Sequence, residues 1–275
     1  MTKWADLHIH TYYSDSTSSP EEVVEDAVKA GLSCIAITDH DVIDGIEPVR
    51  AAAKAHDIEV IAGIELSSEL NGKDIHILGY GFDCTRGPLF EKLGAIQQAR
   101  IDRIKVMIEK LKGLGVNNIT FEEVAAKTKS NAVGRPHLAA VLHEKGWVNS
   151  VRSAFDKYIG EGGPAYYTKY NQTPFEAIKL ITDSGGVAVM AHPMLTQKDE
   201  LISQFVKSGM EGLEVYYPHC SETVLKFYKN IAKKYNILTT GGSDAHGKAK
   251  THTYVGKTQI PYELVEALKE KFRRI

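Results

Sequence analysis

Trp4-Ala5-Asp6-Leu7-His8-Ile9-His10 opens the chain with aliphatic and polar residues in alternation and closes on two histidines two residues apart. In a strand successive side chains point to opposite faces, so His8 and His10 share one face and Leu7 and Ile9 the other. Two imidazoles placed this way at the end of a strand can chelate one metal ion, although an isolated H-x-H can equally be two histidines on a surface strand. The rest of the chain weighs between the two. Ser33–Thr38 is a short apolar run of the kind buried on both faces, and it ends in Thr38-Asp39-His40-Asp41. Glu59–Leu66 reads as the next strand and carries Gly63-Ile64-Glu65. Asn71-Gly72 is a hairpin turn signal, and it leads into a strand over Asp74–Phe82 that contains His76. Val187–Ala191 runs into His192-Pro193, Gly212–Tyr216 carries Glu214, and Ile237–Thr240 precedes Gly242-Ser243-Asp244-Ala245-His246.

Helix signals fall between these strands. Ser19-Pro20-Glu21-Glu22 combines an N-cap serine, proline at the first helical position and glutamate at the third. Val23, Val24, Ala27 and Val28 then recur at helical spacing as far as Gly31. Gly45–His56 reads as a second helix, and another starts at Pro174. The alternation breaks between Pro88 and about Tyr167, where the helices Leu89–Lys112, Phe121–Lys127, Pro136–Lys145 and Ser150–Ile159 succeed one another. Seven strands with intervening helices predict an α/β chain: a parallel (β/α)7 barrel from residues 1–87 and 166–275, interrupted by a helical insertion over 88–165. An open doubly wound sheet competes with it; no G-x-G-x-x-G follows the first strand, which counts against a dinucleotide-binding version. In a parallel barrel all strand C-termini open onto one face, the face of the active site. Candidate ligands spread from His8 to His246 would converge there. Several buried carboxylates at one barrel mouth are costly without cations to share them, so a metal site is expected.

Of 275 residues, 43% are hydrophobic and 25% charged, and the formal charge is −2, which excludes a grossly basic nucleic-acid coat and an acidic solvating tail. No apolar run approaches the roughly 18–20 residues that cross a bilayer, and no signal-peptide pattern opens the chain. Cys34, Cys84 and Cys220, odd in number and widely spaced, fit reduced thiols. A soluble cytoplasmic protein is expected.

The motifs D-L-H-x-H at Asp6–His10, T-D-H-D at Thr38–Asp41, G-I-E at 63–65, His76, A-H-P at 191–193 and S-D-A-H at 243–246, in this order, resemble those of the PHP (polymerase and histidinol phosphatase) family of metal-dependent phosphoesterases. The resemblance implies a distorted seven-stranded barrel and a cluster of three divalent cations, Mn2+, Fe2+ or Zn2+ by their mixed imidazole and carboxylate ligands. It places His8, His10 and Asp244 on one ion, with Glu65 bridging to a second that His76 and His192 complete. Asp15, His40 and His246 would hold the third. Within the family the chain is similar to the stand-alone branch that includes nucleoside bisphosphate phosphatases, in which a helical insertion carries an Arg-Pro-His motif, here Gly134-Arg135-Pro136-His137. Arg135 would then bind the phosphate with its planar fork, assisted by His137.

The implied reaction is hydrolysis of a phosphomonoester on a small nucleotide, a nucleoside 3′,5′-bisphosphate or an AMP-like molecule, by metal-activated hydroxide, with 5′–3′ exonuclease action on short RNA as an added activity. Asp6 and Asp39, each beside a ligand, are expected to orient those ligands as hydrogen-bond acceptors. Glu214, at a strand end, is a candidate proton shuttle or substrate contact, or an acid that holds a neighbouring imidazole. Arg100, Arg103, Lys105, Lys110 and Lys112 read as the solvated face of an insertion helix. Tyr166-Tyr167 and Tyr216-Tyr217 offer rings on which a nucleobase could stack. Neither a membrane nor an obligate protein partner is expected. The alternatives are a histidinol-phosphate phosphatase, a metal-dependent amidohydrolase, which also uses H-x-H after a first strand, and a non-catalytic metal-binding module.

Overall fold

The alternating run at the N-terminus forms strand β1 (Trp4–Ile9) in the computed structural model, which describes residues 2–168, 172–250 and 252–272. Helix α1 (Pro20–Lys29) begins where its capping signal lies. Ser19 Oγ accepts from Glu22 N at 3.2 Å and Glu22 Oε2 from Ser19 N at 2.8 Å, which satisfies two first-turn amides reciprocally. β2 (Cys34–Ile37), α2 (Ile46–Ala53), β3 (Glu59–Leu70) and β4 (Lys73–Tyr80) follow. The insertion comprises α3 (Pro88–Gly113), α4 (Phe121–Ala125), α5 (Arg135–Glu144) and α6 (Val151–Ala154), the last running into a π turn at Phe155–Ile159. The chain ends through α7 (Pro174–Asp183), β5 (Val187–Met190), α8 (Pro193–Thr196), α9 (Ile202–Lys207), β6 (Gly212–Tyr216), α10 (Glu222–Tyr235), β7 (Leu238–Gly241), β8 (Ile260–Pro261) and α11 (Tyr262–Phe272).

The strands lie in the order β7-β6-β5-β4-β3-β2-β1-β8. The sheet nearly closes beyond β7, where Ala245 bridges in parallel to Ile9 and its carbonyl accepts from His10 N at 3.0 Å. That close approach requires glycine at 242, because a Cβ there would lie 2.4 Å from His8 N and 2.5 Å from His8 Cβ. The expected α/β barrel is present, with two differences in its strands. β4 runs antiparallel to both β3 and β5. Asn71 and Gly72, at φ 52° and 77°, make the two-residue turn that joins β3 to β4, and such a turn connects antiparallel strands only. In addition, the two-residue β8 pairs antiparallel with β1. The barrel is therefore mixed, and has eight strands among the described residues.

Alternate residues of the buried strands enter different clusters. Cys34, Ala36, Val187 and Val189 pack in the barrel interior with Leu7 and Tyr80, closed off by Val265 and Leu268 of α11. Ile35, Ile37, Ala188 and Met190 share a cluster with Val23 and Val24 of α1 and Ile178 and Ile181 of α7. A strand apolar on both faces is what an uninterrupted apolar run encodes. The insertion has a core of its own, which includes Met107, Leu111, Leu138, Leu142 and Ile159. α3 serves both bodies: Leu89, Leu93 and Ile96 belong to the barrel cluster and Ile104 onward to the insertion. The middle of α3 is thereby held against the barrel mouth. Among the described residues no helix is long and apolar enough to cross a membrane.

Candidate metal centre

His8 and His10 leave β1 with Nε2 atoms 3.1 Å apart. Both face Glu65 Oε2 at 3.2 Å, and they lie 3.5 and 3.3 Å from Asp244 Oδ1. Two imidazole nitrogens and two carboxylate oxygens thus point at one place. A second group joins His10 to Asp15, His40 and His246, and a third joins His40, Glu65 and His76, each with its donor atoms within 4.8 Å of one another. Glu65 is central. Its Oε2 faces His8, His10 and His40 Nδ1, while Oε1 lies 2.8 Å from His76 Nδ1 and 3.0 Å from His192 Nε2. All nine histidines and carboxylates expected as ligands are brought together at the barrel mouth; their roles toward a metal belong to the proposal below.

The elements explain this convergence. A bulge in the β1–β2 ladder, where three steps from Asp6 to Ile9 match two from Ile35 to Ile37, carries His10 over the end of β2. Glu65 lies mid-strand because β3 overshoots the barrel rim into the hairpin. As β4 runs back down, its His76 pairs with Ser67 near the start of the strand and reaches the mouth from the N-terminal end, not the C-terminal one. His192 and Asp244 follow β5 and β7 at φ 28° and 50°. Such left-handed backbone at a non-glycine residue persists only where its surroundings enforce it.

The donor set suits divalent cations. Asp15 Oδ1, His40 Nδ1 and His246 Nε2 are buried and lack a hydrogen-bond partner among the described residues, a costly state for polar atoms that a cation would relieve. Burial works against charge on Glu65, but the rings of His40, His76 and His8 hold its carboxyl well below the usual range. Asp15 is likewise opposed by burial and held low by His246 and His40. Burial pushes His40 down, against the pull of Glu65 and Asp15, and burial together with the charge of Lys250 pushes His246 down. For His8 and His10 burial is outweighed by acids: Glu214, Glu65 and Asp244 raise His8, and Asp244 and Glu65 raise His10 to about 9. Imidazole with carboxylate is the chemistry of Mn2+, Fe2+ and Zn2+ sites.

A supporting layer surrounds the donors. Glu214 is fully buried; Oε1 accepts from His8 Nδ1 at 2.8 Å and Oε2 from His192 N at 2.8 Å. That contact turns His8 Nε2 toward the centre and places Glu214 behind the ring. Asp6 and Asp39 are acceptors beside expected ligands but bond no imidazole nitrogen: they act on backbone and loop, and Asp6 Oδ1 faces His8 N at 3.3 Å. Asp6 accepts from Ser243 N and Gly256 N, each at 2.8 Å, and so ties the segments after β7 to β1. Asp39 accepts from Thr11 N, Thr11 Oγ1 and Ser14 Oγ, and so holds the loop that presents Asp15. His137, expected to assist Arg135, has both ring nitrogens engaged by backbone. Its Nδ1 accepts from Gly134 N at 2.9 Å and its Nε2 donates to Ser14 O at 2.8 Å, which leaves no free nitrogen.

Beside His40, His76 and Asp15 lies a cavity of about 100 Å³ walled by Arg100, Arg103 and Arg135. Arg135 Nη2 donates to Asp74 Oδ2 at 2.5 Å. Arg100 and Arg103 correct the solvated-face reading: Arg100 pairs with Asp41, and Arg103 is buried. The signal was present in spacing, since Ile96, Arg100, Arg103 and Met107 follow one another at helical intervals along the inward stripe of α3. Tyr217 and Lys250 bond the far oxygen of Asp244, Oδ2, at 2.8 and 3.0 Å.

Residues 6–273, which span every converging donor, match the model of the PHP domain. A 5′–3′ exoribonuclease of Haemophilus influenzae is 34% identical over 254 residues, 90% of this chain and 91% of the relative. A 3′,5′-nucleoside bisphosphate phosphatase of Chromobacterium violaceum is 30% identical over 260 residues, 92% of this chain and 91% of the relative. A solved structure from Bifidobacterium adolescentis, provisionally named a metal-dependent phosphoesterase, is similar with a TM-score of 0.88 and 28% identity over 97% of this chain and 96% of that one. With its motifs converging at one mouth and the match running through nearly its whole length, the chain belongs to the PHP domain family.

Proposed function

We propose that the protein is a metal-dependent phosphoesterase that removes a phosphate from a small nucleotide, with nucleoside 3′,5′-bisphosphates as its substrate class. The observation that carries this reading is the meeting of the Glu65-centred donor set with an arginine-walled cavity: one side suits cations, the other an anionic group of a phosphorylated substrate. In this reading His8, His10, Glu65 and Asp244 hold one ion, Glu65, His76 and His192 a second, and Asp15, His40 and His246 a third. When bound, the cations supply Lewis acidity at the phosphoryl oxygens and a water acidic enough to attack near neutral pH.

The chain's own side chains do the rest. Arg135, fixed by Asp74 and flanked by Phe155 and Tyr166, offers its fork to a phosphate of the substrate held in the cavity beside the metal centre. Glu214 holds His8 in the tautomer that donates Nε2, and His137 latches the Ser14–Asp15 loop onto the insertion. The Chromobacterium relative supports the substrate class, and the Haemophilus relative supports a further 5′–3′ action on short RNA. The three cysteines are free, which fits a reducing compartment such as the cytoplasm.

The test is phosphate release by metal-loaded protein on 5′-AMP, 3′-AMP, adenosine 3′,5′-bisphosphate, histidinol phosphate and a 5′-phosphorylated RNA dinucleotide, with a His8→Ala, His10→Ala double variant as control. Turnover favouring the bisphosphate and lost in the control is expected. Silence of the metal-loaded protein on all five substrates would overturn the reading.

A further inference from the structure

Three guanidiniums wall the cavity, and two of them hydrogen-bond a carboxylate. Arg100 Nη1 pairs with Asp41 Oδ2 and also reaches Ser67 Oγ, and its Nε donates to Val133 O. Arg135 Nη2 pairs with Asp74 Oδ2. Arg103 differs. It is 6% exposed, its Nε donates to Tyr167 O at 2.9 Å, and its Nη2 is buried with no hydrogen-bond partner among the described residues. Burial and the charge of Arg135 push the guanidinium down to about 10, so at neutral pH it is a desolvated cation that lacks a hydrogen-bonded counter-ion among those residues. Asp74 favours that charge from a distance, but its hydrogen bond goes to Arg135.

Arg103 and Arg135 also share one ring. Their guanidinium carbons lie 5.4 and 5.6 Å from the centroid of Tyr166, so the two cations stand together on one wall, with His40 and His76 of the metal centre also lining the cavity. At about 100 Å³ the cavity is well short of the ~300 Å³ at which a site begins to enclose a whole small molecule. It admits one compact group. An uncharged sugar or base would leave the surplus charge unanswered, whereas a phosphate brings negative charge and several acceptor oxygens.

We propose that Arg103, together with Arg135, is an anion site for the non-reacting phosphate of a doubly phosphorylated nucleotide, and that Arg103 is the residue that selects bisphosphates over monophosphates. This rests on the reading of the neighbouring metal centre as a phosphomonoesterase and names how that site chooses its substrate. The competing occupant of Nη2 is a trapped water, because Gln172 Nε2 is also buried without a partner and borders a void of about 20 Å³ on another side of Arg103.

The test compares kcat/KM on adenosine 3′,5′-bisphosphate with kcat/KM on 3′-AMP and 5′-AMP, for the wild type, R103M and R103K. The loss of one charge-assisted contact predicts that the bisphosphate-to-monophosphate ratio falls about 10- to 100-fold in R103M, chiefly through KM. R103K should recover part of it, as a point charge without the fork. A ratio within twofold of the wild type would overturn the proposal, whether both activities fell together, as loss of a structural water would cause, or neither fell. If R103M does not fold, an unchanged ratio in R103K overturns it alone. A wild type silent on all three substrates would refute the phosphoesterase reading itself, whereas an active wild type with an unmoved ratio would refute only the role of Arg103.

Discussion

At His137 one ring satisfies two backbone groups, Gly134 N and Ser14 O, and so pins the loop carrying Asp15 to the start of α5. His137→Ala is expected to destabilise the protein by about 2–3 kcal/mol, the cost of leaving buried backbone groups unpaired. Urea unfolding measures this, and a loss under about 0.5 kcal/mol would show that water replaces the ring. Glu214 acts on the other side of the centre. Glu214→Gln removes the charge that holds His8 Nδ1–H, and metal affinity should fall about 10- to 100-fold in a competitive chelator titration. Unchanged affinity would show that His8 keeps its tautomer unaided. Which residues gather at the mouth was legible from the sequence, because H-x-H and the acids after each strand are local patterns. What each acid touches was not. Asp6 and Asp39 stand beside ligands in sequence and Glu214 does not, yet Glu214 is the one that bonds a ring, while the other two bond backbone and hydroxyl groups, a difference made by contacts such as Asp6 to Ser243 and Gly256.

The elements were legible where a signal is self-contained. The Ser19–Glu22 capping box starts α1, and the strand at Val187–Met190 lies within its apolar run. Strand direction shows how two local signals can conflict. Strand–helix alternation favours parallel strands, but Asn71-Gly72 forces an antiparallel pair, and the turn prevails because no helix separates β3 from β4. The burial of α3 is easily missed because arginines normally mark a solvated face, although the helical spacing of Ile96, Arg100, Arg103 and Met107 carries the signal. Gly242 is a test at this scale. A methyl group there would sit 2.4 Å from His8 N, so Gly242→Ala must push the segment after β7 away from β1. Overpacking of this kind costs about 1–3 kcal/mol. Because the same shift moves Asp244 from His8 and His10, metal affinity should fall together with the unfolding midpoint. A variant that lost stability but kept full affinity would show that closure and the metal centre are separable.

For the molecule as a whole, the centre gathers side chains from β1, β3 and β4 and from the segments that follow β1, β2, β5 and β7, so whatever neutralises it also holds the barrel shut. Anything that binds the folded state alone stabilises it by about 4 kcal/mol at a thousandfold excess over Kd, so chelation should lower Tm. The pH dependence has a definite sign. Without a cation His10 is raised to about 9 by Asp244 and Glu65, which outweigh its burial, and it therefore carries a proton at neutral pH. A raised histidine contributes stability to the metal-free protein that is fully present below about 6.5 and is lost as pH rises through about 9. Metal binding must displace that proton, so apparent affinity rises over the same window. The two effects are one linkage: above about 6.5 His10 is neutral in the unfolded and in the loaded protein, so the loaded form holds its stability while the metal-free form weakens as pH climbs. The difference in Tm between Mn2+-loaded and chelator-treated protein should therefore widen steadily from pH 6.5 to pH 9. A difference that stays constant across this range would mean that His10 is already neutral in the metal-free protein, and one that narrows would mean that the cations bind elsewhere than on His8 and His10.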